Sequence, residues 1–159
     1  MSKPAAKEIK LSRLLKEDLI DLELQEDNKN KLLARLVELI AKSGKLKDKK
    51  AFLKAILERE RMGSTGIGNG VAIPHAKSRA VKEMVLAFAK VQQGIEFGAL
   101  DGEKVFLLFM LASPQDFVGE HLKILADIAG LIRDKFIIGL LKKSKNKKEA
   151  FKIIRSHKK

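Results

Sequence analysis

The chain contains no cysteine, no tryptophan and no tyrosine, and only three prolines. Without thiols it can form no disulfide, no thiolate metal site and no cysteine nucleophile. Eight phenylalanines are its sole aromatics. No apolar run approaches the roughly 20 residues needed to cross a bilayer, so no membrane insertion is expected. Met1 to Lys10 lacks the apolar stretch of a secretory signal, which speaks against export. What is present is 159 residues, 45% hydrophobic and 33% charged. That suffices for one domain burying roughly 70% of the surface its unfolded chain exposes. A soluble, cytoplasmic domain is expected.

The net charge of +13 suggests a nucleic-acid partner until it is divided along the chain. Residues 1–30 carry six basic and seven acidic side chains, and residues 31–61 carry ten and four. Residues 62–141 are balanced at eight and eight, whereas the last 18 residues carry nine and one. The excess therefore sits on helical and terminal segments, where a solvated face or tail is the plainer account. Such a tail can still steer an acidic partner, with an effect that salt weakens. No nucleic-acid motif accompanies it, and Phe151 is the only aromatic among its lysines, so no nucleic-acid partner is expected.

Alternation over Leu19–Leu24 predicts a half-buried strand. Asp27 or Asn28 offers the cap of a helix carrying Leu32, Leu33, Leu36, Val37 and Ile40, with Gly44 at its end. Asp48 caps a second helix through Phe52, Leu53, Ile56 and Leu57, ending near Met62 and Gly63. Gly63 to Gly70 then holds four glycines in eight residues, a loop of extended or left-handed backbone. Strands are expected over Val71–Ile73, Met84–Val91 and Val105–Ala112. The last is apolar throughout and should be central. Turns are expected at Gln92–Ile95 and Leu100–Glu103. After Pro114 the spacing of His121, Leu122, Leu125, Ile128, Ala129 and Ile132 is helical. Phe136–Leu141 is a further short apolar segment, and Asn146–Glu149 resembles a capping box for a last helix. This order predicts a three-layer α/β/α domain with a mixed β-sheet flanked by helices. A tail at 1–10, one domain over 11–156 and a basic end at 157–159 follow.

Three histidines head the chemical candidates. His157 lies in the basic tail and reads as solvated. His75 closes Val71-Ala72-Ile73-Pro74-His75, where Pro74 fixes its own φ and holds Ile73 extended. A histidine at a strand end beside a glycine-rich loop is well placed for anion chemistry, although by position alone the plainer reading, a histidine merely ending a strand, is somewhat favoured. His121 falls in the first turn of a helix, where the dipole favours neutral imidazole; by itself it reads as a boundary histidine. The glycine loop lacks the Gly-x-x-x-x-Gly-Lys-Ser/Thr pattern and follows a helix rather than a strand, which excludes a nucleotide loop. Two histidines without a third ligand at a recognisable spacing define no metal site, and no cofactor is expected. Glu58-Arg59-Glu60-Arg61 reads as a solvated helix end, yet an arginine there can fold back over a phosphate in bidentate fashion.

The run from Arg59 through Gly63-Ser64-Thr65-Gly66-Ile67-Gly68-Asn69-Gly70 to His75 closely resembles the active-site signature of the phosphotransferase-system (PTS) EIIA domains of the fructose–mannitol type (type 2), which include the nitrogen-regulatory EIIA proteins. Gly119-Glu120-His121-Leu122-Lys123-Ile124-Leu125 matches a second landmark, and the similarity spans about Leu11 to Ile154. Gln93–Phe97 and Leu100–Val105 resemble the family's strand-linking segments. Gly98 and Phe106 stand where relatives often carry acidic residues. The resemblance implies that residues 11–156 are a type-2 EIIA domain and that His75 accepts a phosphoryl group on Nε2 from an HPr-like carrier. It makes Arg59 and His121 auxiliary catalytic residues and gives Thr65, Gly68, Asn69 and Gly70 binding positions in the signature. In-line phosphoryl transfer relies on positioning and charge stabilisation and here requires no metal.

Three roles are compatible with the resemblance. The leading one is a stand-alone phosphocarrier most like nitrogen-regulatory EIIA. A second is an EIIA component delivering phosphoryl to a separate EIIB of a fructose- or mannitol-type sugar permease, whose thiol must belong to another segment. A third is a regulatory binding module that no longer cycles phosphate, against which the joint presence of His75, Arg59 and His121 argues.

Overall fold

The computed structural model describes residues 9–157. Most of the expected N-terminal tail, and Lys158 and Lys159 of the C-terminal end, lie outside the described residues. A single helical turn, α1 (Leu11–Leu14), leads directly into β1 (Leu15–Asp21). Helices α2 (Lys29–Ala41) and α3 (Lys49–Met62) follow, capped as their sequences predict. Asn28 Oδ1 accepts the Lys31 N–H at 3.1 Å, and Asp48 Oδ1 accepts that of Ala51 at 3.0 Å. These caps satisfy amides that the first helical turn leaves orphaned. In α2 the residues Leu32, Leu33, Leu36, Val37 and Ile40 are almost completely buried.

The chain then lays down β2 (Gly66–Gly68), β3 (Val71–Ala72), β4 (His75–Ser78), β5 (Val85–Ile95) and β6 (Val105–Pro114). The mixed sheet runs β1-β5-β6-β3-β2, with β4 also pairing β6. β3 and β4 lie in line along the same side of β6, in register at Val71 with Leu107 and at His75 with Leu111. Pro74 separates them, and its carbonyl accepts the Leu111 N–H at 3.0 Å. β6 is the expected central strand, apolar from Val105 to Ala112 and almost wholly buried. Helices α4 (Val118–Ile132), α5 (Lys135–Lys143) and α6 (Lys147–Ser156) complete the chain. α2 packs on β5 and α3 on β4, while α5 packs on β6 and α6 on β1. The result is the expected three-layer fold. Asn146 supplies its half of the capping box, accepting the Glu149 N–H at 2.8 Å.

Two elements differ from the sequence expectation. The first strand begins at Leu15 rather than Leu19 and ends at Asp21. Its exposed Lys16-Glu17-Asp18 segment coincides with a register shift against β5, so the charges point to solvent from an irregular edge. Leu22 and Leu24 are buried by the segment that follows it. Gln92–Ile95 is not a turn: β5 continues through it with a register shift, Gly94 taking φ 73°, until Ile95 pairs with Val105. A bulge of this kind keeps the ladder while re-aiming the strand. The turn at Leu100–Gly102 is present.

Candidate functional site

The glycine-rich segment fulfils both halves of its expectation. Gly66–Gly68 is extended and pairs with β3, whereas Gly68, Asn69 and Gly70 all have positive φ and form the hairpin turn. Gly66 is required by close approach, because a Cβ there would lie 2.9 Å from Ala99 Cα. The turn is tied down by the Asn69 N–H on Asp101 Oδ2 (3.1 Å) and by the Gly70 carbonyl, which accepts from Phe106 and Leu107. Leu107 precedes Leu111, the register partner of His75, by four residues, so the turn sits roughly 13 Å down the sheet from the histidine. Gly68, Asn69 and Gly70 are therefore not gathered around His75; they build the far end of the hairpin.

What does gather is a cluster at the end of β4 and β6. His75 is half-buried at the start of β4, and its Nδ1 lies 2.7 Å from the Ile73 carbonyl. A carbonyl only accepts, so Nδ1 carries the proton and Nε2 keeps its lone pair. His121, buried in the first turns of α4, packs its ring 5.4 Å from that of His75 at an interplanar angle of 53°. Its Nδ1 lies 2.7 Å from Ser113 Oγ. Burial, chiefly, holds both imidazoles below their ordinary value; that of His121 falls from 6.5 to about 4, with His75 and Lys77 adding to the effect. For His75, the positive charges of Arg59 and Lys77 act with burial, and the hydrogen bond to Ile73 and the charge of Glu60 oppose it. Burial thus favours the neutral form of both rings.

Arg59, on the last turn of α3, donates from its guanidinium to the Gly63 carbonyl at 2.9 Å and lies near enough for its charge to act on His75. Its neighbour Glu60 is buried, contrary to the solvated helix end expected of this stretch. The Glu60 carboxylate accepts the Thr65 amide at 3.2 Å and the Thr65 hydroxyl, and pairs with Lys29 Nζ at 2.7 Å. Thr65 is thereby buried with its hydroxyl on Glu60, while its carbonyl accepts the Ile73 N–H at 3.0 Å. It locks the loop between α3 and the strand that presents His75. Lys29 also donates to the Phe97 carbonyl and sits 4.2 Å from the Phe97 ring centroid. His157 terminates α6. Glu60, Lys29 and Ser113 are the members that sequence reading missed. A carboxylate five residues before a threonine at a helix end was the available signal for Glu60, and a lone serine closing an apolar strand the signal for Ser113.

Exposed apolar side chains flank Arg59 and His121 along their helices. Met62 ends α3 at 83% exposure, and Val118 and Leu122 stand one helical turn apart on α4 beside His121.

Comparison with known proteins identifies the family and the fold. The family model described as phosphoenolpyruvate-dependent sugar phosphotransferase system, EIIA 2, matches residues 13–157. A nitrogen regulatory protein of Escherichia coli is 37% identical over 147 residues, covering 92% of this chain and 90% of the relative. The fructose-specific EIIABC component of the Bacillus subtilis phosphotransferase system is 34% identical over 149 residues, 94% of this chain but 24% of that longer protein. The crystal structure of nitrogen regulatory protein IIA-Ntr from Neisseria meningitidis superposes with a TM-score of 0.85 at 31% identity, covering 91% of this chain and 98% of the other. Escherichia coli IIA mannitol shares the fold, with a TM-score of 0.76 at 20% identity over 88% of this chain and 98% of that one.

Proposed function

The chain belongs to the EIIA 2 family of the phosphoenolpyruvate-dependent sugar phosphotransferase system, and on that premise we propose that it is a phosphocarrier whose acceptor atom is Nε2 of His75. The carrying observation is the hydrogen bond from His75 Nδ1–H to the Ile73 carbonyl, which leaves Nε2 as a neutral nucleophile. The donor is a phosphohistidine of an HPr-like carrier. As the His75 lone pair forms the new N–P bond, the old N–P bond breaks and its electron pair returns to the donor imidazole. The His75 ring gains positive charge in the process, and the Ile73 carbonyl facing Nδ1–H favours that charge. Arg59 and Lys77 supply the positive field that a phosphoryl group with its negative oxygens requires, and His121 stands beside it. No proton need leave His75.

Residues 11–156 constitute the carrier domain in this reading. The exposed apolar side chains of Met62, Val118 and Leu122 suit a protein surface as donor and recipient rather than a small molecule. We take the role to be most like that of the nitrogen-regulatory relatives, which the 31%-identical Neisseria structure supports. The similarity to a fructose-specific component favours a second recipient, an EIIB domain. Since no described helix is long and apolar enough to cross a membrane, the cytoplasm, where phosphoenolpyruvate is available, is the proposed location.

The test is incubation with phosphoenolpyruvate, its phosphotransferase and an HPr-like carrier. Acid-labile label should appear on histidine, and His75→Ala should abolish it. Undiminished labelling of that variant would remove His75 from the role, and an unlabelled parent would leave the non-cycling binding module.

A further inference from the structure

Ser113 is fully buried near the end of β6, two residues beyond Leu111, the register partner of His75. Among the described residues its hydroxyl has one hydrogen-bonding partner, Nδ1 of His121 at 2.7 Å. A serine hydroxyl carries one hydrogen and, when buried, must place it on an acceptor. Were His121 protonated on Nδ1, ring and hydroxyl would offer two hydrogens to a single contact, and the serine hydrogen would have no partner. A buried orphan donor biases the equilibrium tenfold or more against that arrangement.

We propose that Ser113 is a positioning residue whose hydroxyl donates to Nδ1 of His121 and so fixes His121 as the neutral Nε2–H tautomer, a hydrogen-bond donor toward the phosphoryl group on His75. The inference rests on the phosphocarrier reading for the phosphoryl group, but its tautomer half does not depend on it. The two rings, 5.4 Å apart, then carry opposite assignments. At His75 a partner that can only accept puts the proton on Nδ1 and bares Nε2 for attack. At His121 a partner that must donate puts the proton on Nε2. The same atom of two like residues is thus a nucleophile in one ring and a donor to oxyanions in the other. His121 needs no charge for this task, consistent with its burial beside Ser113 and the His75 ring. Without Ser113 the Nδ1–H tautomer, which turns a lone pair on Nε2 toward the phosphoryl oxygens, becomes accessible to His121.

Long-range ¹H–¹⁵N spectra of the unphosphorylated full chain at pH 7 read the tautomers directly. His121 should show a bare, pyridine-type Nδ1 and a protonated Nε2, and His75 the reverse pattern. Ser113→Ala should shift His121 toward mixed tautomers, and Ser113→Thr, which keeps the hydroxyl, should restore the parent pattern. In quenched-flow labelling, Ser113→Ala should slow phosphorylation of His75 by about tenfold. It should add nothing to the defect of His121→Ala, because it acts through that ring. A protonated Nδ1 on His121 in the parent overturns the proposal whatever the variants do. So do additive kinetic defects of the two alanine variants. Because the parent spectrum is taken without phosphate, its failure stays distinct from failure of His75 to accept a phosphoryl group.

Discussion

The two ends of this molecule use positive charge in opposite ways. The segment from residue 62 to 141, which contains His75 and His121, is balanced at eight basic and eight acidic side chains, and the cations nearest the histidine cluster are individually placed. Arg59 is held on the Gly63 carbonyl, and Lys29 on Glu60 and Phe97. At the end formed by α5 and α6, nine of the last 18 residues are basic against one acidic. None of the ion pairs among the described residues involves Lys142, Lys143, Lys145, Lys147, Lys148, Lys152 or Arg155. Their one internalised neighbour is Lys90, whose buried ammonium donates to the Lys142 and Ser144 carbonyls at 3.1 and 2.6 Å. A cation there satisfies carbonyls that the end of α5 leaves open. Charge fixed at short range can stabilise a reacting group. Charge spread over exposed lysines acts at long range and is screened.

The comparison breaks first at Arg59. Lysine at that position preserves the charge but not the planar fork that matches phosphoryl oxygens. Transfer to His75 should slow by about a hundredfold, the scale expected on removing one charge-stabilising donor. Quenched-flow labelling with excess donor, alongside circular dichroism, measures it. Parent-like rates would put Arg59 in the same class as the tail lysines.

A smaller effect should appear on acidification. His121 binds its proton less readily in the folded chain, at about 4, than in the unfolded chain, at its ordinary 6.5. The unfolded state therefore takes up more protons as pH falls, and stability that is complete above pH 6.5 drains away toward pH 4. Between pH 6.5 and 5 the loss should be on the order of 1 kcal/mol, about half the value for a group wholly shielded from water. Urea unfolding at the two pH values should show it, and His121→Asn should flatten the difference. An equally steep loss in that variant would assign the acid sensitivity elsewhere.

The smallest and most conditional effect belongs to the lysine-rich end. Replacing Lys143, Lys145, Lys147 and Lys148 by glutamine should change on-rates for an acidic partner severalfold at low salt, and hardly at all near 0.5 M. Phosphorylation at saturating donor should not change. Loss of labelling there would mean that this end takes part in the chemistry after all.

Much of the architecture was legible because its signals are local. Asn28 and Asp48 announce the helices they cap, and the apolar run of β6 announces a strand covered on both faces. β1 was misplaced because Lys16-Glu17-Asp18 belongs to an irregular edge where polarity carries no register information. Gln92–Ile95 carried turn composition, yet Ile95 still found a partner in Val105 across the bulge. At the site, Arg59 and His75 were readable from one signature and His121 from a second landmark; the two rings pack together, and the charge of Arg59 acts on His75. Its glycines divide: Gly66 permits the close approach to Ala99, while Gly68 and Gly70 serve a turn well away from the histidine. Glu60 was misread because alternating charge looks solvated until a lysine 31 residues earlier and a threonine five residues later are brought to it.

Pro74 has a consequence for how a carrier of this kind spends its time. It interrupts the strand without releasing it, since its carbonyl remains bonded to Leu111 and the residue after it re-enters pairing with the same strand. The proposed acceptor is thus stitched to the central, buried strand of the sheet, not mounted on a loop that must be captured anew by each visitor. Ordering a free side chain costs about 0.5–1.5 kcal/mol at every association; here that cost is met once, during folding. Partners of different shape would find the nitrogen in one place, so arrival and departure, rather than rearrangement of the acceptor, would set the tempo of the relay.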